Sequence, residues 1–136
     1  MLNKAAISKE RAEAAIEKLG RGRYLSAKVP FSYDYYDKDN DANDDVSGHG
    51  THVSGIIAGD GYASHGRFKG IAPMSQIISV KVLDSNGNGN IENVIKGTKW
   101  IINNKDIYNI KIVNISFGTT HNPSNTSELI KNVENM

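Results

Sequence analysis

Ile77-Ile78-Ser79-Val80-Lys81-Val82-Leu83 is a short β-branched run, and the residues downstream of it decide the fold. After the turn-rich stretch Asp84 to Asn90, the side chains of Ile91, Val94, Ile95, Thr98, Ile101 and Ile102 recur at the spacing of one helix face. A second apolar run then extends from Ile110 to Phe117. Strand, helix, strand in that order is one βαβ unit. Such a unit makes its two strands parallel with a right-handed crossover, and buried parallel strands need helices over both faces. The sequence therefore predicts an α/β fold with a parallel sheet.

Upstream, Val29 to Tyr36 alternates apolar and polar residues and reads as a further strand, running into the acidic loop Asp37 to Asp45. Before it, Ser8 is placed to cap a helix whose Ala12, Ala15, Ile16 and Leu19 share a face and whose end falls at Gly20. The charges of that helix (Lys9, Glu10, Glu13, Glu17, Lys18) read as a solvated surface. From His49 to Ala58, small residues (Gly50, Ser54, Gly55, Ala58) lie among Val53, Ile56 and Ile57, a composition that predicts a helix buried on all sides. Thr119 to Ser127 is polar, and the residues up to Met136 look helical.

The chain has 136 residues, 38% of them hydrophobic, enough for one domain with a modest core. Sixteen basic residues against fifteen acidic ones leave a net charge of +1, so no strong field draws in nucleic acid or an anionic membrane. With no cysteine there is no disulfide scaffold, thiolate metal site or cysteine nucleophile. Met1 to Lys18 lacks the apolar core of an export signal and any stretch that would span a bilayer.

The residue with the clearest chemical promise is His49, flanked by Gly48 and Gly50. Imidazole titrates near neutrality, and glycines on both sides let a substrate backbone come close, so the position suits a general base. An ordinary loop histidine fits the same residues. A metal site on His49 and His52, three residues apart on one helix face, lacks a third ligand of suitable spacing. His65 and His121 sit in polar loops and read as surface residues. Asp37, Asp39 and Asp41 alternate like the opening of a calcium loop, yet Ala42 stands where that loop needs glycine and Gly48 where it needs a bidentate glutamate. A solvated acidic turn is the preferred reading, with calcium as the alternative. Gly48-x-Gly50 and Gly87-x-Gly89 lack the third glycine or the Lys-Ser/Thr pair of a phosphate loop.

Four ordered motifs give His49 a context. The run His49-Gly50-Thr51-His52-Val53-Ser54-Gly55-Ile56-Ile57-Ala58-Gly59 resembles the histidine motif of the subtilisin-like serine peptidases, and Gly70-Ile71-Ala72-Pro73 resembles the segment next along that family's chain. Val80-Lys81-Val82-Leu83 and Ile112-Val113-Asn114-Ile115-Ser116-Phe117-Gly118 look like the next two strands of that family, in order. The resemblance spans about Val29 to Gly118. The acidic loop and preceding helix look most like the insertion-bearing cell-envelope members from Gram-positive bacteria.

The resemblance implies a fragment of a three-layer α/β/α fold in which His49 is the general base and His52 a packed neighbour. It implies a polypeptide substrate held as an extended strand between two segments, Gly87-Asn88-Gly89 and Ser116-Phe117-Gly118, the latter lining the primary specificity pocket. Read without the family, the first is a turn and the second a strand end. The chemistry needs no cofactor. The whole parent protein is expected to be secreted or held at the cell envelope.

The family's other motifs are not found: no Asp-Ser-Gly or Asp-Thr-Gly precedes His49, and neither Ser-Ala-Gly-Asn nor Gly-Thr-Ser-Met comes after it. Asp34 belongs to the element resembling the family's second strand, so it does not take the aspartate's role. Residues 1–136 are thus expected to be a partial catalytic domain, truncated at both ends and inactive alone, whose partners include the missing parts of that domain. The family strand bearing the aspartate would lie between the two matched by Ile77 to Leu83 and Ile110 to Phe117. Without it, those strands either close on each other or leave unpaired edges. The alternative function is a truncated, non-catalytic module that binds peptides or complements another fragment.

Overall fold

The computed structural model describes residues 6–43, 46–118 and 126–136. Helix α1, Lys9–Leu19, starts where Ser8 Oγ accepts the N–H of Arg11 and stops at Gly20, whose φ of 66° turns the chain out of the helix. The chain then enters β1, Phe31–Asp34. Helix α2 is His49–Ala58, and after a 3₁₀ turn at Tyr62–Ser64 the chain returns through β2, Ile78–Lys81. Helix α3, Ile91–Tyr108, begins where Asn90 accepts the N–H of Asn93, and α4 is Thr126–Glu134.

Among the described residues the sheet has two parallel strands, with Phe31 beside Ile78, Ser32 beside Ser79, Tyr33 beside Val80 and Asp34 beside Lys81. The parallel crossover is therefore β1-α2-β2 and not the expected unit around α3. Ile110 to Phe117, read from sequence as a strand, does not form one. Asn109 ends α3 in the left-handed region (φ 52°), and the chain from Lys111 to Gly118 has no hydrogen-bonded strand beside it among the described residues. Hydrogen bonds between neighbours define a strand, so an apolar run alone does not make one. Of the two outcomes expected for this run, the unpaired one occurs, and Ile112 is 88% exposed.

The core lies between the sheet, α1 and α3. Phe31 is fully buried and stacks on Trp100 with ring centroids 4.0 Å apart, while Tyr108 meets Phe31 edge-on at 5.6 Å. Ile7, Ala12, Tyr35, Val82 and Val94 complete the cluster. Phe31 alone contributes about 1.5–3 kcal/mol by burial. Gly97 brings α3 onto the sheet, since a Cβ there would stand 3.0 Å from methyl carbons of both Val80 and Val82. On the other face of α3, Asn132 of α4 donates to Thr98 Oγ1 at 2.9 Å, and Lys99 pairs with Glu128.

Helix α2 corrects a second expectation. Its composition predicts burial on all sides, but only Ala58 is buried, and Ile56 and Ile57 are exposed. Its small residues permit close packing, yet the described elements cover little of it.

Candidate active site

His49 is the first residue of α2. Its N-cap, Gly48, has φ 66°, a left-handed conformation that glycine adopts without strain. The imidazole is exposed and makes no hydrogen bond or ion pair among the described residues. His52, one turn on, is also exposed, and its N–H donates to Gly48 C=O at 2.9 Å, the first bond of the helix.

The far end of α2 is fastened by the Gly70-Ile71-Ala72 segment. Gly70 N–H donates to Gly59 C=O (2.9 Å), Ile71 N–H to Ile56 C=O (2.9 Å) and Ala72 N–H to Ile57 C=O (2.8 Å). These bonds satisfy carbonyls that a helix C-terminus leaves without partners. Approach this close requires glycine at 70, because a Cβ there would stand 2.6 Å from Gly55 O and 2.7 Å from the backbone nitrogens of Ala58 and Gly59.

Two positioning residues carry no signal in the sequence. Lys28 Nζ donates to the carbonyls of Pro73 (2.7 Å) and Ser75 (2.6 Å), and burial lowers its pKa, with Asp60 acting in the opposite direction. Gln76 accepts from Ile7 N–H (2.8 Å) and donates to the carbonyls of Ile7 and Ala27. Isolated polar residues in loops have no periodicity to betray them. A third group, the pair Asp34 and Lys81, does leave a trace as charges inside apolar strands. Asp34 is 1% exposed, accepts from the N–H groups of Tyr36 (2.6 Å) and Asp37 (3.1 Å), and pairs with Lys81 across the sheet.

The turn holding Gly87, Asn88 and Gly89 is organised by Asp84, whose Oδ1 accepts from the N–H groups of Asn86 (2.9 Å) and Asn88 (2.8 Å). Ser116, Phe117 and Gly118 lie in exposed chain outside any helix or strand, with Ser116 Oγ held by the Asn114 amide at 2.8 Å. No hydrogen bond among the described residues joins His49 and these two segments to one another. In the acidic loop Asp37, Asp39 and Asp41 each have a local role. Asp37 faces Lys81 at 3.7 Å, Asp39 accepts from Asp41 N–H at 2.8 Å, and Asp41 accepts from Asn43 N–H at 3.1 Å. Among the described residues no three His, Cys, Asp or Glu side chains converge as a metal site would require. His65 is exposed in a left-handed conformation, and His121 lies outside the described residues.

A sequence model described as the subtilase family matches residues 22–136. The chain is 46% identical over 78 residues to the minor extracellular protease Epr of Bacillus subtilis, covering 56% of this chain and 11% of that protein. It is 43% identical over 91 residues to a thermostable alkaline protease of Halalkalibacterium halodurans, covering 67% of this chain and 23% of the relative. Serine protease AprX of Bacillus subtilis is 43% identical over 58 residues, covering 43% of this chain and 13% of the relative. The chain thus spans less than a quarter of the length of each of these relatives. With a family match that runs from before β1 through α4 and takes in α2 with its histidine, the chain belongs to the subtilase family.

Proposed function

We propose that this chain is the histidine-bearing part of a subtilisin-like serine endopeptidase, in which His49 takes the proton of a serine hydroxyl and returns it to the leaving amine. The observation that carries this reading is the position of His49. It opens α2, exposed, between two glycines that leave room for a substrate main chain. Gly87-Asn88-Gly89 and Ser116-Phe117-Gly118 then flank a polypeptide substrate, and the exposure of both segments supports that use. Residues 1–136 form a partial catalytic domain, and the further polypeptide of that domain covers α2. The whole protein is secreted or held at the cell envelope, by analogy with its extracellular relative. No helix among the described residues is long and apolar enough to cross a membrane.

A histidine with no serine to activate and no carboxylate to orient it has no triad chemistry to perform, so the isolated chain is inactive. The purified chain is expected neither to react with a serine-directed fluorophosphonate nor to cleave casein. Labelling that His49→Ala abolishes would overturn this. The role of His49 is tested by grafting residues 22–118 in place of the matching segment of the Halalkalibacterium protease. In an active graft, His49→Ala is expected to lower kcat by about 10⁴ to 10⁶, and His52→Ala far less. Equal losses would assign the base elsewhere. Calcium at Asp37, Asp39 and Asp41 is an accessory proposal, and a flat calorimetric titration at millimolar calcium removes it.

A second reading, a non-catalytic module that receives a complementary polypeptide, is favoured by the exposed, unpaired chain from Lys111 to Gly118. The coding sequence on either side separates the two. In-frame Asp-Ser-Gly upstream and Gly-Thr-Ser-Met downstream support the enzyme, whereas flanking stop codons with a soluble cooperative fold support the module.

A further inference from the structure

The turn between β2 and α3 contains two Asn-Gly pairs, Asn86-Gly87 and Asn88-Gly89, and the fold treats their glycine amides differently. In this dipeptide the asparagine side-chain amide is open to attack by the glycine backbone nitrogen, because glycine has no Cβ to obstruct the approach. The attack requires a glycine N–H free to lose its proton and an asparagine side chain free to turn. Gly87 does not meet the first condition, since its N–H donates to Asp84 C=O at 3.1 Å.

Gly89 stands opposite Leu83 in an isolated antiparallel bridge, and the adjacent bond runs from Asp84 N–H to Asn88 C=O at 2.6 Å. Leu83 and Gly89 are therefore the non-hydrogen-bonded pair, whose own N–H groups point away from each other. Gly89 N–H has no acceptor among the described residues, and Asn88 and Gly89 are both exposed. The Asp84 carboxylate holds the backbone N–H of Asn88 at 2.8 Å, while the Asn88 side chain makes no hydrogen bond among the described residues. The main chain of the turn is thus held, with the reactive side-chain amide left loose.

We propose that Asn88 is a site of spontaneous covalent modification, deamidating through Gly89 in preference to Asn86. The nitrogen of Gly89 bonds to Cγ of Asn88 and gives up its proton, and the side-chain nitrogen leaves as ammonia, closing a five-membered succinimide. Water then opens the ring at either carbonyl, leaving an aspartate or a β-linked isoaspartate at this position. One water enters and one ammonia leaves, with no oxidation or reduction. The neutral amide becomes a carboxylate beside Asp84, and the β-linked product lengthens the main chain by one methylene.

The test is incubation of the purified chain in mildly alkaline buffer, then digestion and site-resolved mass spectrometry, each conversion adding about 1 Da. In the folded chain Asn88 is expected to convert faster than Asn86. In urea the two rates should converge, because both residues precede glycine. Asn88→Gln should remove the fast conversion and leave the slow one. Conversion at Asn86 as fast as at Asn88 in the folded chain, or the same ratio folded and in urea, would overturn the proposal. It stands independently of the peptidase reading.

Discussion

Tyr108 is 4% exposed, and its hydroxyl, like the indole N–H of Trp100, has no hydrogen-bond partner among the described residues. Desolvation pushes the Tyr108 pKa up to about 12. An unfolded tyrosine ionises near ~10, so as pH rises the unfolded chain releases this proton before the folded one does. Stability is then unaffected by Tyr108 below about pH 10 and falls as pH climbs from about 10 to 12. Near-ultraviolet circular dichroism should report unfolding in that window, with burial of Tyr35 acting in the same direction. Tyr108→Phe should move the transition to higher pH at little cost, since it deletes an unpaired hydroxyl, and an unmoved transition would assign the effect to other groups. Single residues are unevenly legible in the sequence. His49 is singled out as a candidate by the ordered motifs around it and not by its glycine neighbours alone, whereas Lys28 and Gln76 act through carbonyls that the fold brings to them from distant parts of the chain.

At the scale of elements, α2 depends on its C-terminal fastening. Gly70→Ala would drive a methyl into the backbone of Gly55 and Ala58, and we expect a loss of about 1–3 kcal/mol by overpacking. Amide exchange should show this as faster exchange at Ile71 and Ala72, with the Phe31, Trp100 and Tyr108 cluster unchanged, and unaltered exchange at those two amides would count against the fastening. The helices are legible because their signals are local. Ser8, Gly20 and the apolar spacing fix α1, and a periodic face marks α3, whose cap at Asn90 the structure adds. The sheet is less so. Ile77 to Leu83 contains β2, but its partner is β1, and no local pattern names a partner. The same limit applies to Ile110 to Phe117, whose apolar character promises a strand that only a neighbour could complete. In α2 the small residues make close packing possible, and one segment, at Gly70, takes it up. A composition suited to burial does not itself supply the covering layers.

For the molecule as a whole, the accessible surface is 9106 Å² at a mass of 14.8 kDa. A compact monomer of that mass would expose about 7,000 Å², so about 2,000 Å² lies in excess. Ile71 at 90% exposed and Ile112 at 88% are prominent in it, together with Ile56 and Phe117. Large apolar side chains left exposed, such as Ile71 and Ile112, favour association, so the chain is expected to bind anilinonaphthalene sulfonate and to sediment faster as concentration rises. Ile71→Lys with Ile112→Lys should reduce both effects without shifting thermal unfolding. Concentration-independent sedimentation of the unsubstituted chain would contradict this. The fastening of α2 has a topological consequence. The 3₁₀ turn and the residues up to Lys69 form an exposed excursion whose two ends, at Gly59 and Gly70, are bonded directly to each other. Severing the chain there leaves two polypeptides still joined by β1 with β2, by Phe31 with Trp100 and by the bonds from Gly70, Ile71 and Ala72. The fold therefore offers a natural split point, at which reporter halves fused to the new ends would report reassembly of the two pieces.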